Sequence, residues 1–280
     1  MGRMNRIRSL LLLIALALVV FCGQASPAGA RSLVFHDGFN DLGAGQMPSS
    51  QRWYLVDKCV TNKAATCARA TPKFLHGDGA GHLLFSAYRT GYANCGLLPN
   101  NPPCWHAGAI RSLYATSAPF EYRISAKLTD PAVMGEWNAL GALYRADFQS
   151  GEIDTQEWLG KYPSVLNAFA KANGIRAAAH NVNFVDSPPS CHQPVANFSK
   201  AYHVYGVNVF PDRMEWTIDG CVWGSTEKST VDSTTWANLT QKDYFTEIAL
   251  LIGGNKFWAG SWSTVPNGIT MKVDWVRWFK

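Results

Sequence analysis

The sequence predicts an all-β protein folded as a sandwich. Short apolar segments recur along the chain with turn residues between them, a spacing typical of sandwiches and barrels. No long stretch shows the 3.6-residue period of an amphipathic helix, and only residues 234–239 indicate a short one. The predicted strands are residues 33–37, 82–88, 109–113, 120–128, 139–144, 152–159, 202–209, 214–218, 245–252 and 269–279.

Residues 1–30 have the pattern of a secretory signal peptide. Three arginines precede an apolar run from Leu10 to Phe21, and residues 28–30 supply the small side chains of a cleavage site. The run is shorter than the roughly 20 residues that a membrane helix needs. We therefore expect a secreted, extracellular chain that begins near Arg31 and has no membrane anchor. A lipoprotein anchor at Cys22 is the alternative, and bulky Phe21 before that cysteine argues against it.

The rest of the chain, residues 31–280, is long enough for one domain with one sizeable core. The formal net charge is +5, and loss of the three signal arginines, with no acid, lowers it to +2. Such a charge is too weak to indicate a nucleic-acid partner. Aromatic residues make up 12% of the sequence and charged residues only 16%, which suits stacking on neutral sugar rings. We expect a monomer whose partner is a polysaccharide.

Six cysteines remain when Cys22 is lost with the signal. An even number in an exported chain indicates disulfide bonds. Proximity along the sequence favours the pairs Cys59–Cys67, Cys95–Cys104 and Cys191–Cys221. Zinc binding is the alternative, but the sequence has no paired Cys-x-x-Cys motif or histidine cluster to support it.

Three carboxylates are crowded into the predicted strand at residues 152–159. In a regular strand Glu152 and Asp154 point to one face, whereas Glu157, five positions after Glu152, points to the other. One β-bulge at Thr155–Gln156 inserts an extra residue and returns all three acids to the same face. A concave sheet is also needed, because the outer two acids would otherwise stand about 13 Å apart along a flat strand.

Three acids on one concave face match the chemistry of retaining glycosidases. These enzymes need one carboxylate as nucleophile and a second, held protonated, as acid and then base. Asp154, between the other two, can keep one of them ionised and the other protonated. The alternative is an acidic, solvated face of an edge strand. The flanking Gly151 and Trp158 and the bulge-compatible spacing favour a site.

The segment Glu152-Ile-Asp-Thr-Gln-Glu157 resembles the bulged Glu-x-Asp-x-x-Glu signature of glycoside hydrolase family 16, found in laminarinases and in several galactan-cleaving enzymes. Further similar segments follow in the family's order and cover almost all of the chain after residue 30. They are residues 118–123, 135–139, 202–205, 211–220, 252–254 and 271–277. The resemblance implies a concanavalin-like β-jelly-roll of two curved antiparallel sheets, with a substrate cleft on the concave face.

The function implied by the resemblance is endo-acting, retaining hydrolysis of a β-linked polysaccharide, with β-1,3-glucan or β-galactan as the substrate. Glu152 is then the nucleophile and Glu157 the acid/base, and no cofactor is required for catalysis. A transglycosylase on the same scaffold is one alternative, since a sugar hydroxyl can replace water. A non-catalytic, lectin-like carbohydrate-binding domain is another, and the presence of both outer glutamates argues against it.

The resemblance also suggests substrate-binding residues on two strands. Glu121 and Arg123 share one strand face, which lines the cleft in the family, and His180 falls where the family has a histidine that faces the substrate. The alternatives are an exposed ion pair, which would contribute little stability, and an ordinary loop histidine.

Tryptophans are the other candidate binding residues. Trp137 and Trp158 can serve as sugar platforms, but buried tryptophan is also common in the core of a sandwich. Trp258 lies on a glycine-rich loop and is expected to border the cleft, a position that Trp262 could also take. The sequence departs from the family nearby, at Gly141 in particular, and such changes bear on the sugar-binding subsites.

A structural calcium ion is also implied by the resemblance. Many members of the family carry one on the convex face, held by backbone carbonyls of early strands and by one carboxylate of the last strand. Asp274 matches this carboxylate, and the segment Phe35–Asp37 and Gly81 can supply the carbonyls. Hard oxygen ligands suit calcium. The alternative is that Asp274 pairs with a nearby lysine or arginine.

Overall fold

The computed structural model describes residues 31–59, 66–90, 105–130, 135–149, 151–159, 165–172, 175–183, 198–253 and 265–280, with the backbone alone for 165–172 and 175–183. The chain divides into two units, Met1–Arg31 and Ser32–Lys280, and the fold described below is that of the second. Several sequence predictions lie outside the described residues. They are the signal peptide at residues 1–30, Cys95, Cys104, Cys191, Trp258 and Trp262.

The described residues form seventeen strands and one α-helix, which confirms the predicted all-β class. The strands of the first half are β1 (Leu33–Asp37), β2 (Trp53–Leu55), β3 (Thr66–Ala68), β4 (Leu75–Gly77), β5 (Leu83–Arg89), β6 (Trp105–Ala107), β7 (Ala109–Ser112), β8 (Phe120–Lys127) and β9 (Glu136–Arg145). Those of the second half are β10 (Glu152–Trp158), β11 (Val165–Ala172), β12 (Ile175–Asn183), β13 (His203–Val209), β14 (Arg213–Ile218), β15 (Cys221–Glu227), β16 (Tyr244–Ile252) and β17 (Ile269–Phe279), and the helix is α1 (Ser233–Thr240).

Two sheets pack face to face, as the sequence predicts. The ten-stranded sheet has the order β15-β14-β13-β8-β17-β5-β6-β3, with β1 also paired to β17 and β4 to β5. The seven-stranded sheet has the order β12-β11-β10-β9-β16-β7-β2. All described strand pairs are antiparallel except β3–β6. The acid-bearing strand β10 therefore lies inside the seven-stranded sheet, with β9 on one side and β11 on the other.

The main hydrophobic core fills the space between the two sheets. It is rich in aromatic side chains that are fully buried, among them Trp158, Trp216, Trp278, Tyr122 and Phe85. Strand β17 shows how the sequence produces this core. Its buried and partly exposed residues alternate up to Val273, and the register against β8 shifts by one before Trp275. That bulge keeps Val276 and Trp278 on the inner face.

Helix α1 agrees with the short helix predicted at residues 234–239. Asp232 caps its N-terminus by accepting a hydrogen bond from the Thr235 amide at 2.9 Å. Hydrogen bonds from the Thr235 hydroxyl and, to a lesser extent, from this amide lower the pKa of the Asp232 carboxyl. Trp236 and Leu239 anchor the helix in the core. No helix within the described ranges is long and apolar enough to span a membrane.

One predicted disulfide is present between described residues. Cys59 and Cys67 are bonded, which confirms the first of the three predicted pairs. Cys221 is also disulfide-bonded. The pairing of Cys191 with Cys221 and that of Cys95 with Cys104 stay predictions.

Candidate active site

The predicted bulge in β10 is confirmed, and it is shared with β9. Relative to β11, β10 has one extra residue between Asp154 and Glu157. Relative to β16, β9 has one extra residue opposite the step from Glu247 to Ile248. Yet β9 and β10 keep the same register with each other on both sides of Thr155. The two central strands are therefore bulged together, as a unit, against both of their outer neighbours.

The inner face of β10 carries Ile153, Gln156 and Trp158. Ile153 pairs with Leu143 and Gln156 with Leu140, and both leucines belong to the core between the sheets. Directly paired residues of antiparallel strands share a face. Ile153 and Trp158 are five positions apart, so the bulge is what places both of them inside.

The outer face of β10 carries Glu152, Asp154 and Glu157. Asp154 pairs with Ala142 and Glu157 with Ala139, on the face opposite to the core leucines. Asp154 is 2% exposed and Glu157 is 5% exposed, whereas Glu152 is partly exposed. The structure thus brings the three predicted acids together on one face, as the spacing indicates.

Gly141 is the residue of β9 that lies at the bulge. Its φ is +74°, a conformation that favours glycine, and a Cβ atom there would lie 2.4 Å from the ring of Tyr122. Tyr122 is fully buried and accepts a hydrogen bond from the Thr246 hydroxyl at 3.1 Å. The glycine is therefore required by both the backbone conformation and the neighbouring ring.

Trp137 lies beside Glu157 on the outer face. Its indole Nε1 donates a hydrogen bond to Oε1 of Glu157 at 2.9 Å. Around this pair is a second apolar cluster, separate from the main core and formed by Val56, Ala68, Ala109, Trp137, Ala139, Ala249 and Leu251. The cluster fixes the indole, so that the donated bond orients the Glu157 carboxyl. Trp137 thus directs its polar edge at an acid, and its role as a sugar platform stays a prediction.

Tyr144 lies beside Glu152, to which it is directly paired across β9 and β10. The pKa of Tyr144 is raised well above its usual value, first by burial, then by the negative charges of Glu152, Asp154 and Glu247 and by its hydrogen bond to Glu152. The hydroxyl therefore stays protonated at neutral pH and serves as a donor to Glu152.

A fourth carboxylate, Glu247 of β16, is on the same face. Its Oε2 accepts hydrogen bonds from Nη2 and Nε of Arg111 in β7, at 2.6 and 3.2 Å. Glu247 pairs with Ala142, which pairs in turn with Asp154. Because alanine has only a methyl group, no long side chain separates Glu247 from Asp154 along this row of the sheet.

A hydrogen bond from the ten-stranded sheet holds the backbone of the acid-bearing strand. The indole Nε1 of Trp216 in β14 donates a hydrogen bond to the backbone carbonyl of Asp154 at 2.9 Å. This bond crosses the core and ends at the residue next to the bulge. It satisfies a buried donor and fixes the strand where the acids project.

Trp158 is a core residue and not a sugar platform. Its side chain is fully buried among the residues between the sheets. The extra residue at the bulge turns Trp158 inward with Ile153, while Glu157 turns outward. The prediction of a platform is therefore wrong, and the alternative of a core tryptophan is correct.

Glu121 and Arg123 do not line the face that carries the acids. Both are in β8 of the ten-stranded sheet, and Tyr122 between them points into the core. They therefore face outward on the opposite side of the sandwich. There they form an ion pair with each other, and Arg123 lies over the ring of Phe279 at 5.2 Å. Their predicted role in substrate binding is wrong, and the alternative of an exposed pair is correct.

His180 is in β12, the edge strand of the seven-stranded sheet, where its backbone pairs with that of Ala168. The structure describes only the backbone there, so its role stays a prediction. Trp258 is outside the described residues, and its role also stays a prediction.

Sequence reasoning missed Tyr144, Arg111 and Glu247. Arg111 and Glu247 are single charges inside otherwise apolar strands, a signal that marks a polar face. Tyr144 could have been found only from its pairing with Glu152, and the sequence alone does not show which residues pair across strands.

Asp274 lies at the bulge of β17, in the sheet opposite to the acids. Its Oδ2 accepts a hydrogen bond from Ser125 Oγ at 3.2 Å, and the ion pairs of the described residues do not include it. Within the same ranges, no group of three or more histidine, cysteine or acidic residues could hold a metal. The calcium site expected from the sequence differs from such a cluster, because it has one carboxylate and several backbone carbonyls. These are the hard oxygen ligands that calcium prefers.

Calcium is expected to raise the melting temperature. An ion that binds only the folded state, at a free concentration of about 100 times its Kd, raises the free energy of unfolding by about 2.7 kcal/mol. For a domain of this size the melting temperature then rises by roughly 5–10 °C. Thermal melts in calcium and in chelator measure this shift. Asp274→Asn should remove it and leave the melt in chelator little changed. An unchanged wild-type melt, with no bound metal by elemental analysis, would contradict the prediction.

The fold and the acid-bearing strand define a protein of the glycoside hydrolase class. The model of the glycosyl hydrolases family 16 matches residues 106–277, and the chain belongs to this family. The resemblance drawn from the sequence motifs is therefore confirmed. None of the curated proteins compared matches the chain.

Solved structures share the fold at low sequence identity. A β-glucanase of Bacillus licheniformis is 19% identical, with a TM-score of 0.67 over 90% of this chain and 99% of that one. The catalytic domain of an endo-1,3-β-glucanase (laminarinase) from Thermotoga petrophila is 18% identical, with a TM-score of 0.68 over 90% and 98%. A Mycobacterium tuberculosis protein described as an immunostimulatory antigen and pseudo β-1,3-glucanase is 22% identical, with a TM-score of 0.69 over 88% and 98%. These matches confirm the jelly-roll sandwich.

Proposed function

We propose that the chain is a secreted, retaining endo-glycosidase that hydrolyses a β-linked polysaccharide, with β-1,3-glucan as the first candidate and β-galactan as the second. The observation that carries the proposal is the common outer face of Glu152, Asp154 and Glu157 on the bulged strand. The glucanases of the same fold support the choice of substrate. Secretion follows from the signal-like residues 1–30, and the mature N-terminus is expected near Arg31.

In the first step, a carboxylate oxygen of Glu152 forms a bond to the anomeric carbon of the sugar. The glycosidic carbon–oxygen bond breaks as the Glu157 carboxyl gives its proton to the leaving oxygen. In the second step, a water molecule loses a proton to Glu157, and its oxygen displaces Glu152 from the anomeric carbon. Two inversions leave the configuration of the sugar unchanged.

The neighbouring side chains support these roles of the two glutamates. Glu152 receives a hydrogen bond from Tyr144, whose hydroxyl stays protonated, and this bond orients the carboxylate as a nucleophile requires. Glu157 is buried and accepts a hydrogen bond from Trp137, which orients its carboxyl for proton transfer. Asp154 lies between the two glutamates on the same face. Three neighbouring carboxyl groups repel one another when all are ionised, so this arrangement favours one that keeps its proton.

The test is an incubation of the purified, secreted protein with neutral β-1,3-glucan, mixed-linkage β-glucan and β-galactan, followed by sizing of the products. We expect a ladder of oligosaccharides from one of them. NMR of the fresh product should show the anomer of the substrate. The opposite anomer would overturn the nucleophile role of Glu152, and products longer than a defined oligosaccharide substrate would indicate transglycosylation.

Tyr144→Phe is expected to lower kcat/KM by roughly tenfold to a hundredfold, because a hydrogen bond to a charged group contributes about 1.5–3 kcal/mol. The measurement is kcat/KM across the pH profile. The basic limb should stay in place, because the pKa of Tyr144 is raised well above 10 in the wild type. Tyr114→Phe, a change of the same kind at a tyrosine whose ring stacks on Phe35, is the control. Wild-type activity of the Tyr144 variant, or a shift of the basic limb, would contradict the assigned role.

A further inference from the structure

A partly exposed aromatic group lies beside the acids and has no part in the mechanism above. It consists of Tyr54, Phe148 and Phe245 around Arg111, and is called the aromatic platform here. Tyr54 of β2 pairs directly with Arg111 of β7. Both are on the outer face of the seven-stranded sheet, because Trp53 and Ile110 beside them are in the core.

The platform continues the rows of the sheet that hold the acids. Arg111 pairs with Glu247, and the same row leads through Ala142 to Asp154. In the next row, Phe245 pairs with Tyr144, which pairs with Glu152. A sugar chain that crosses the strands from the acids towards β2 therefore meets the platform on the same face.

The platform is held rigidly. The guanidinium carbon of Arg111 lies 4.7 Å from the ring centroid of Phe245, 5.5 Å from that of Phe148 and 5.9 Å from that of Tyr54. The rings of Phe148 and Phe245 are 5.6 Å apart. Two hydrogen bonds to Glu247 fix the guanidinium in the middle. Binding to such a preorganised surface loses little side-chain freedom.

Two of the rings remain open to solvent. Phe148 is 71% exposed and Tyr54 is 54% exposed. Phe148 also has a φ of +56°, which is an outlier for a bulky residue. The turn that imposes it is fixed by hydrogen bonds from Arg145 to Asp147 and from the Gln149 amide to Asp147. A strained backbone that holds a large apolar ring in water indicates a functional position.

We propose that the aromatic platform is an outlying subsite that binds a neutral pyranose ring of the substrate, at the Glu152 side of the acids. The inference rests on the proposed function and extends it. The exposed faces of Phe148 and Tyr54 pack against the C–H face of the sugar, and free N–H groups of Arg111 donate to its hydroxyls.

The charges of the same face select for a neutral sugar. At the platform itself Arg111 is the cation, and Glu247 already compensates its charge, whereas Lys171 and Arg176 follow Glu152 farther along its row. Glu152, Asp154 and Glu157 add three further acids. At the platform no described cation is left without a carboxylate partner, so the rings and not a charge hold the sugar, and the platform favours an uncharged glucan or galactan.

The test measures how affinity depends on chain length. Phe148→Ala and Tyr54→Ala are each compared with the unaltered platform by calorimetry, in a Glu152→Gln background that prevents hydrolysis, with β-1,3-gluco-oligosaccharides of increasing length. We expect the alanine variants to lose affinity for the long oligosaccharides by about threefold to tenfold and to bind the shortest ones normally. Phe148→Trp should retain the length dependence.

Val222→Ala is the matched control, because Val222 is exposed on β15 of the other sheet. If Phe148 had only a structural role, its loss would weaken the short and long oligosaccharides alike, and that result would overturn the proposal. Tighter binding of a sulfated galactan than of neutral chains would also overturn it. The proposed function can fail independently of the subsite. In that case the wild type cleaves no polysaccharide, but its length-dependent binding still requires Phe148 and Tyr54.

Discussion

Glu152→Gln is expected to reduce turnover by about a thousandfold or more and to leave the folded state intact. The amide is close in size to the carboxylate but cannot form and release a glycosyl ester, so the covalent step is lost. Glu152 is the most exposed of the three acids, and the substitution leaves no buried charge behind. The initial rate on the cleaved polysaccharide and the melting temperature are the two measurements. Near-normal activity would remove Glu152 from the mechanism.

Two further variants serve as the control for Glu152→Gln and as the test of the acid/base role. Glu121→Gln is the matched control, because it makes the same chemical change on the opposite sheet, and its activity should equal that of the wild type. Glu157→Ala should be inactive on polysaccharide but partly rescued by azide or formate, with retention of activity on substrates whose leaving group needs no proton. Rescue of the Glu152 variant in place of the Glu157 variant would reverse the two roles.

Gly141→Ala is expected to lower the free energy of unfolding by about 2–5 kcal/mol. A left-handed backbone conformation costs about 1–2 kcal/mol with any side chain, and overpacking against the buried Tyr122 ring adds about 1–3 kcal/mol. Because Gly141 lies at the bulge, activity should fall as the acids of β10 are displaced. Denaturant unfolding and the rate on polysaccharide measure the two effects.

Gly220→Ala separates the two contributions. Gly220 has a φ of +80°, close to that of Gly141, but a Cβ atom there would meet nothing within 4 Å. It lies in the turn between β14 and β15, away from the acids. We expect a loss of about 1–2 kcal/mol with full activity. Equal losses for the two variants would mean that contact with Tyr122 contributes nothing.

The sequence was sufficient to predict the three acids and the bulge, because both follow from the spacing of side chains along one strand. Alternation fixes which residues share a face, and the five-residue step from Glu152 to Glu157 requires an extra residue. The short helix at Asp232 was equally predictable from its local signals. In each case the physical cause lies within a few residues of its effect.

The sequence could not show which sheet a strand joins or which residue it pairs with. Glu121 and Arg123 share a face as predicted, but β8 belongs to the sheet on the other side of the core. Tyr144 was missed because its importance comes from the residue opposite it, Glu152. Trp158 was misassigned although the predicted bulge already implied its direction, since a residue next to an outward Glu157 must point inward.

The bulge common to β9 and β10 constrains how the length of these strands can change. Deletion of Thr155 alone would remove the extra residue of β10 and leave the matching residue of β9, so that the two strands would slip by one position along half of their pairing. Deletion of Thr155 and Gly141 together would keep them aligned, and Glu152, Asp154 and Glu157 would then alternate regularly on the same face. Insertions and deletions at this point are therefore tolerated in pairs, and a double deletion should be less damaging than either single one.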